Sequence, residues 1–220
     1  MLMRSLISLA GSALLAGCSV VGVRSGTEQP RYDVVERLSE EVEVRQYGER
    51  LAAEVTVARG GRSSNENSAF GALAGYIFGK NTARSEVVPE KVTRTSPVET
   101  RSNQSEKIAM TSPVETTTRG SEMTMRFFLP SAYTLESAPV PSNPKVSVVP
   151  VPPETLATLQ FKGMRTTNNV ETHKAELLKQ LSATDWAPVG EPVAYFYDPP
   201  WTVPTLRRNE IAVKVEKRAG

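Results

Sequence analysis

RGGRSSN at Arg59–Asn65 returns 103 positions later as KGMRTTN at Lys162–Asn168. Each copy follows a strand-like apolar run, LAAEVTVA at 51–58 and LATLQF at 156–161. Each precedes a helix-like run, NSAFGALAGYIF at 67–78 and VETHKAELLKQL at 170–181. Half of the chain therefore echoes the other half, and a duplicated unit is the simplest reading. Ser63 with Glu66, and Asn168 with Glu171, have the spacing of capping boxes that would start the two helices. On the first helix Phe70, Leu73, Ala74 and Ile77 share a face, and on the second Val170, His173, Leu177, Leu178 and Leu181 do. Gly71, Gly75 and Gly79 weaken the first helix, each by about 1 kcal/mol relative to Ala, so it needs tertiary packing and is expected to approach a sheet closely.

After each helix the period changes from 3.6 to two. Met123, Met125, Phe127 and Leu129 alternate with Thr124, Arg126 and Phe128. Near the C-terminus Val193, Tyr195 and Tyr197 form one alternating set, and Ile211, Val213 and Val215 another. These are half-buried antiparallel strands. The proline-rich SAPVPSNPKVSVVPVPP at 137–153 joins the halves as a connector or edge strand. The fold class is α+β: a duplicated strand-helix-strand-strand unit, in a twisted antiparallel sheet or distorted barrel with two main helices.

A second repetition, T-S-P-V-E-T at Thr95–Thr100 and again at Thr111–Thr116, has its copies an even number of residues apart, with a polar spacer between. The two copies read as strands of a hairpin, each Pro at a strand end or an edge. The hexapeptide holds no strong nucleophile, metal-ligand set or phosphate cradle, so it reads as wall rather than site.

With 220 residues, 39% of them hydrophobic, the chain can build one sizeable core. A net charge of +2 with acidic and basic residues interspersed leaves no basic face for a nucleic acid. MLMRSLISLAGSALLAGCS at 1–19 has an early Arg4, a short apolar run and a small-residue end, the layout of a secretory signal. Its Leu15-Ala16-Gly17-Cys18 resembles the lipobox of bacterial lipoproteins, and Cys18 is the single cysteine. The expected organisation is a signal peptide over 1–17, a lipidated Cys18 and tether over 18–31, and one domain over 32–218. The expected location is the bacterial envelope. Ser19, by lipoprotein sorting rules, favours the periplasmic face of an outer membrane in a host that has one.

Lys107–Val114 (KIAMTSPV), Phe127–Pro130 (FFLP) and Asp198–Ile211 (DPPWTVPTLRRNEI) occur in this order, after Tyr32–Val55 and the AGYIFGKN helix end at 74–81. Together they resemble the SOUL haem-binding family over Tyr32–Lys217. The resemblance implies a duplicated α+β fold, with two helices bordering an apolar cleft that takes haem or a related tetrapyrrole. Phe70, Leu73, Ile77, His173 and Leu177 are then candidate cleft residues. His173, the sole histidine, occupies the place of Phe70 by the 103-residue count. It is open to two readings: an axial ligand to haem iron, the only metal expected, or a packed ring on an apolar face.

Trp201 reads as a ring stacked over a ligand, or as a plug among prolines. Arg62 and Arg165, just before each helix, are propionate contacts or solvated turn residues. Met110, Met123 and Met125 read as core packing. Arg207-Arg208-Asn209-Glu210 reads as a lock on the last strand. Ser142-Asn143-Pro144-Lys145 matches S-x-x-K, but its prolines deny the helix that motif needs. With no acid/base pair or nucleophile singled out, catalysis is not expected. The rival readings are an envelope adaptor that binds a protein partner, and an enzyme acting on an apolar small molecule.

Overall fold

The computed structural model describes residues 26–58, 62–84 and 104–218, with side chains from Asn65 onward in the first helix. The elements in order are β1 (Tyr32–Arg37), β2 (Val42–Tyr47), β3 (Arg50–Ala58), α1 (Arg62–Ile77), β4 (Asn81–Thr82), β5 (Val114–Arg119) and β6 (Glu122–Phe128). They continue with β7 (Val140–Pro141), β8 (Ser147–Val151), β9 (Glu154–Phe161), α2 (Thr167–Leu181), β10 (Trp186–Phe196), a 3-10 turn (Pro204–Leu206) and β11 (Asn209–Lys217).

Nine strands form one sheet in the order β1-β2-β9-β11-β10-β5-β6-β3-β8, and β4 pairs with β7 apart from it. Every pairing between these strands is antiparallel, and an isolated parallel bridge joins Glu28 to Thr111. The sheet ends at β1 and β8 and does not close into a barrel. Its order is a palindrome of the duplication. Outward from the central β5/β10 seam, β5-β6-β3-β8 on one side matches β10-β11-β9-β2 on the other. The strand preceding each strand-helix unit crosses over, so that β2 pairs with β9 and β8 with β3. Pro150 is tolerated in β8 because β8 is an edge.

Alternation sends one set of side chains under the helices. Leu51, Ala53, Val55, Met123, Met125 and Phe127 meet Ala69, Leu73, Tyr76 and Ile77 of α1 in one core. Val42, Val44, Ala157, Leu159, Ile211, Val213 and Val215 meet Leu177 and Leu181 of α2 in a second. The opposite sheet face carries a third cluster, with Tyr47, Phe128, Tyr195 and Tyr197.

Several local expectations change. The N-cap of α2 is Thr166, whose side chain accepts from Asn169 N, rather than Asn168. The exposed Glu171 pairs with Lys174. The buried stripe of α1 is rotated from the expected one, since Phe70 stays 42% exposed while Tyr76 is buried; Leu178 of α2 is also exposed. Met110 is exposed and lies outside the strands. Gly71 and Gly75 face open space and Lys80 rather than the sheet, and Gly79, at φ +108°, follows the end of α1.

β5 is flanked by β6 along its length and by β10 at Val114–Thr116, so the second T-S-P-V-E-T has no free edge there for the first. The expected hairpin between the copies does not form at these residues. Its actual hairpin partner is β6, through a turn at Gly120 (φ +55°). The first copy lies outside the described residues.

Candidate functional site

α1 packs on β3 and β6, whereas α2 packs on β9, β10 and β11. Between them, at the sheet centre, β5 turns Val114, Thr116 and Thr118 toward the helix side, where all three remain half-buried. Their side is given by their cross-strand partners, because Thr116 pairs with Met125 and Ala194, both in helix-covered cores. The result is a half-buried floor of sheet flanked by a helix on each side.

The registers align an aromatic row across that floor. Phe161 opposes Asn209, Asn209 opposes Phe196, Phe196 opposes Val114, and Val114 opposes Phe127. Four strand spacings separate the ends of this row, roughly 19 Å. At one end Phe70 of α1 meets Phe127 edge-on, with ring centroids 5.3 Å apart. At the other, His173 of α2 stacks on Phe161 at 4.1 Å and 18°. Above the middle, the Arg165 guanidinium lies 5.1 Å from the centre of the Phe196 ring.

His173 Nδ1 is 2.7 Å from the carbonyl oxygen of Asn169. A carbonyl only accepts, so Nδ1 carries the proton and, in the neutral ring, Nε2 keeps the lone pair. That is the tautomer a metal-binding imidazole uses when its other nitrogen donates to a carbonyl. His173 is thus a packed aromatic in this fold, with a nitrogen chemically able to ligate.

Arg165 differs from the other half-buried arginines. Arg45, Arg126 and Arg208 hold carboxylates at 2.6–3.0 Å, Arg50 pairs with Glu154, and Arg207 donates to the carbonyls of Thr202 and Pro200. No acceptor among the described residues hydrogen-bonds Arg165. Burial and then the neighbouring Arg207 hold its guanidinium below the ordinary arginine range, against the attraction of Glu66 and Asp198. An anionic group arriving there would relieve both costs.

The remaining candidates separate. Leu73, Ile77 and Leu177 are no more than 1% exposed and belong to the two cores. They pin the helices, and no ligand touches them without displacing a helix. Packing fills the space between each helix and the sheet. Trp201 is 65% exposed on the loop before the 3-10 turn. The side chain of Arg62, and Cys18, lie outside the described residues.

The opposite face is closed by ion pairs that spacing did not reveal. Glu210 is wholly buried, with Oε1 accepting from Arg208 Nη2 at 2.6 Å and Oε2 from Arg45 Nη1 at 3.0 Å and Tyr197 Oη at 2.7 Å. Burial pushes its pKa up, but Arg45, Arg208 and Tyr197 outweigh that and hold it below the usual carboxylate range. Glu115 behaves oppositely, since burial outweighs Arg126 and raises it. Residues 28–29 strap this face: Ser112 N donates to Glu28 O, Ser131 N to the Glu28 carboxylate, and Arg208 Nη1 to Gln29 Oε1.

Beneath the strap, a cavity of about 10 Å³ among Tyr47, Arg50, Phe128 and Tyr195 has room for about one water. A second depression, of about 500 Å³, is open and largely polar, lined by Glu54, Thr56, Asn65, Ser68, Lys145 and Ser147. Neither offers a dry slot for a flat ring. The seam between the helices instead presents the half-buried Phe196, the Arg165 guanidinium over it and the His173 imidazole to one side, groups of the kind that orient a flat ring.

Among solved structures, the EcmrR C-terminal domain matches at TM-score 0.53 and 12% identity, covering 84% of this chain and 98% of that one. A hydrolase from Listeria innocua matches at TM-score 0.55 and 12% identity, covering 81% and 93%. An uncharacterised conserved protein from Listeria innocua matches at TM-score 0.56 and 12% identity, with the same coverage. At such identities the likeness concerns the fold alone. No curated protein matches the chain. The model of the SOUL heme-binding protein family, however, matches residues 27–214, from the strap to the last strand, and the chain belongs to that family.

Proposed function

We propose that this protein is an envelope lipoprotein, anchored through Cys18, that holds haem or a related tetrapyrrole in the groove between α1 and α2 as a carrier, buffer or sensor. Family membership supports the ligand class. The observation that carries the placement is the half-buried Phe196 at the β5/β10 seam, with the Arg165 guanidinium over its ring. Apolar rings bury a macrocycle and a few polar groups orient it. Phe70 and Phe196 would contact its faces, Arg165 a carboxylate, and His173 Nε2 the iron if the ligand carries one.

Haem titration into the purified protein tests this reading. A saturable Soret change, tighter than to a nonspecific control protein, is expected. Phe70→Ser should weaken it while lowering the unfolding midpoint only modestly, because Phe70 is 42% exposed and loses mainly its edge contact with Phe127. Binding no better than the control rejects the function, and binding indifferent to Phe70, Phe196 and Arg165 rejects the groove.

A further inference from the structure

Met164, Trp201 and Val203 are 58%, 65% and 40% exposed, on two loops knitted together by Gly163 N donating to Pro204 O at 2.9 Å. The Trp201 loop is held from within by Arg207, which donates to the carbonyls of Thr202 and Pro200, so its apolar tips sit on a rigid mount. Lys162, exposed two residues before Met164, adds a cation beside them. The strap arrives at the same end of the sheet, where Gln29 meets Arg208 immediately after the loop. From Gly26 back to Cys18 the chain can reach at most about 28 Å. An acyl group on Cys18 would therefore hold this end of the domain close to a lipid surface.

We propose that the Met164–Trp201–Val203 loop pair is a second membrane contact, seated in the interface of the bilayer that carries the Cys18 anchor. This rests on the lipoprotein reading above. Exposed Trp and Met suit the interfacial layer, where an amphipathic ring meets both acyl chains and water, and Lys162 suits anionic headgroups. The contact would give the tethered domain a fixed orientation instead of free rotation about its tether.

The two tryptophans make the test direct, because Trp186 is 5% exposed within the α2 core and Trp201 is not. Lipidated protein extracted from cell membranes is reconstituted into phosphatidylcholine–phosphatidylglycerol vesicles with brominated acyl chains. The expected result is a blue-shifted Trp201 emission quenched by bromine, lost in Trp201→Ser and reduced in Met164→Ser, while both variants still float with the vesicles. Floating protein whose Trp201 emission bromine does not quench overturns the contact and leaves the anchor standing. Trp201 already shielded without vesicles, or quenched by added haem instead, assigns the loop to the tether or the groove and also overturns it. Protein that neither floats nor carries acyl mass on Cys18 rejects the anchor, and with it the reason for choosing a bilayer.

Discussion

Glu210 shows why RRNE is a structural signature. Its carboxylate has both oxygens occupied by two arginines and a tyrosine in a site without solvent. Glu210→Gln leaves Arg45 and Arg208 short of charge, which typically costs about 3–5 kcal/mol and should show as a lower denaturant midpoint. Because its folded pKa is depressed, Glu210 contributes stability that is present above its unfolded pKa and lost as pH falls through the folded value. Acid titration of stability should therefore lose part of its slope below about pH 4.5 in the Gln variant. His173 is the other residue to decide. His173→Ala should shift the Soret maximum if Nε2 ligates iron. An unchanged maximum with weaker binding assigns the ring to packing on Phe161.

At the scale of elements, each helix is nailed to its own half of the sheet by a separate core. Leu73→Ala and Leu177→Ala should each cost about 2–5 kcal/mol. Their double variant should be additive within roughly 0.5 kcal/mol, measured by chemical unfolding, since they share no cluster. The start of α2 offers a sharper comparison. Thr166→Ala should lose about 1 kcal/mol, whereas Asn168→Ala should lose little. The capping-box spacing pointed to Asn168, and the structure places the cap two residues earlier. The strand alternations were legible, because period two reports burial directly; Met123, Met125 and Phe127 are buried as a set. The stripe of α1 was less legible, because small residues and two glycines blur which side is apolar.

At the scale of the molecule, the halves exchange strands at the periphery and meet in the middle by three residue pairs, Val114–Phe196, Glu115–Tyr195 and Thr116–Ala194. The proposed groove runs over this seam, so a ligand filling it should slow hydrogen exchange of the seam amides more than those of β2 or β8. Equal protection everywhere, or none, would argue for a ligand site elsewhere. Among the described residues no helix is long and apolar enough to cross a membrane, and the proposed attachment runs through the acyl anchor and the Trp201 loop.

By itself the sequence determined the duplication, the two helices, the alternating strands and the family, because these are written in local periodicity and ordered motifs. Phe70, His173 and Arg165 could be named from it as candidates, but Leu73, Ile77 and Leu177 could not be told apart from them, since a helix face shows apolarity and not what covers it. Only the tertiary structure decided that the latter three are core. It also brought Phe161, Phe196 and Phe127 into one row. The reason is physical: strand register and the crossing of β2 and β8 join residues far apart in the chain, and no local period encodes which distant strand completes a sheet.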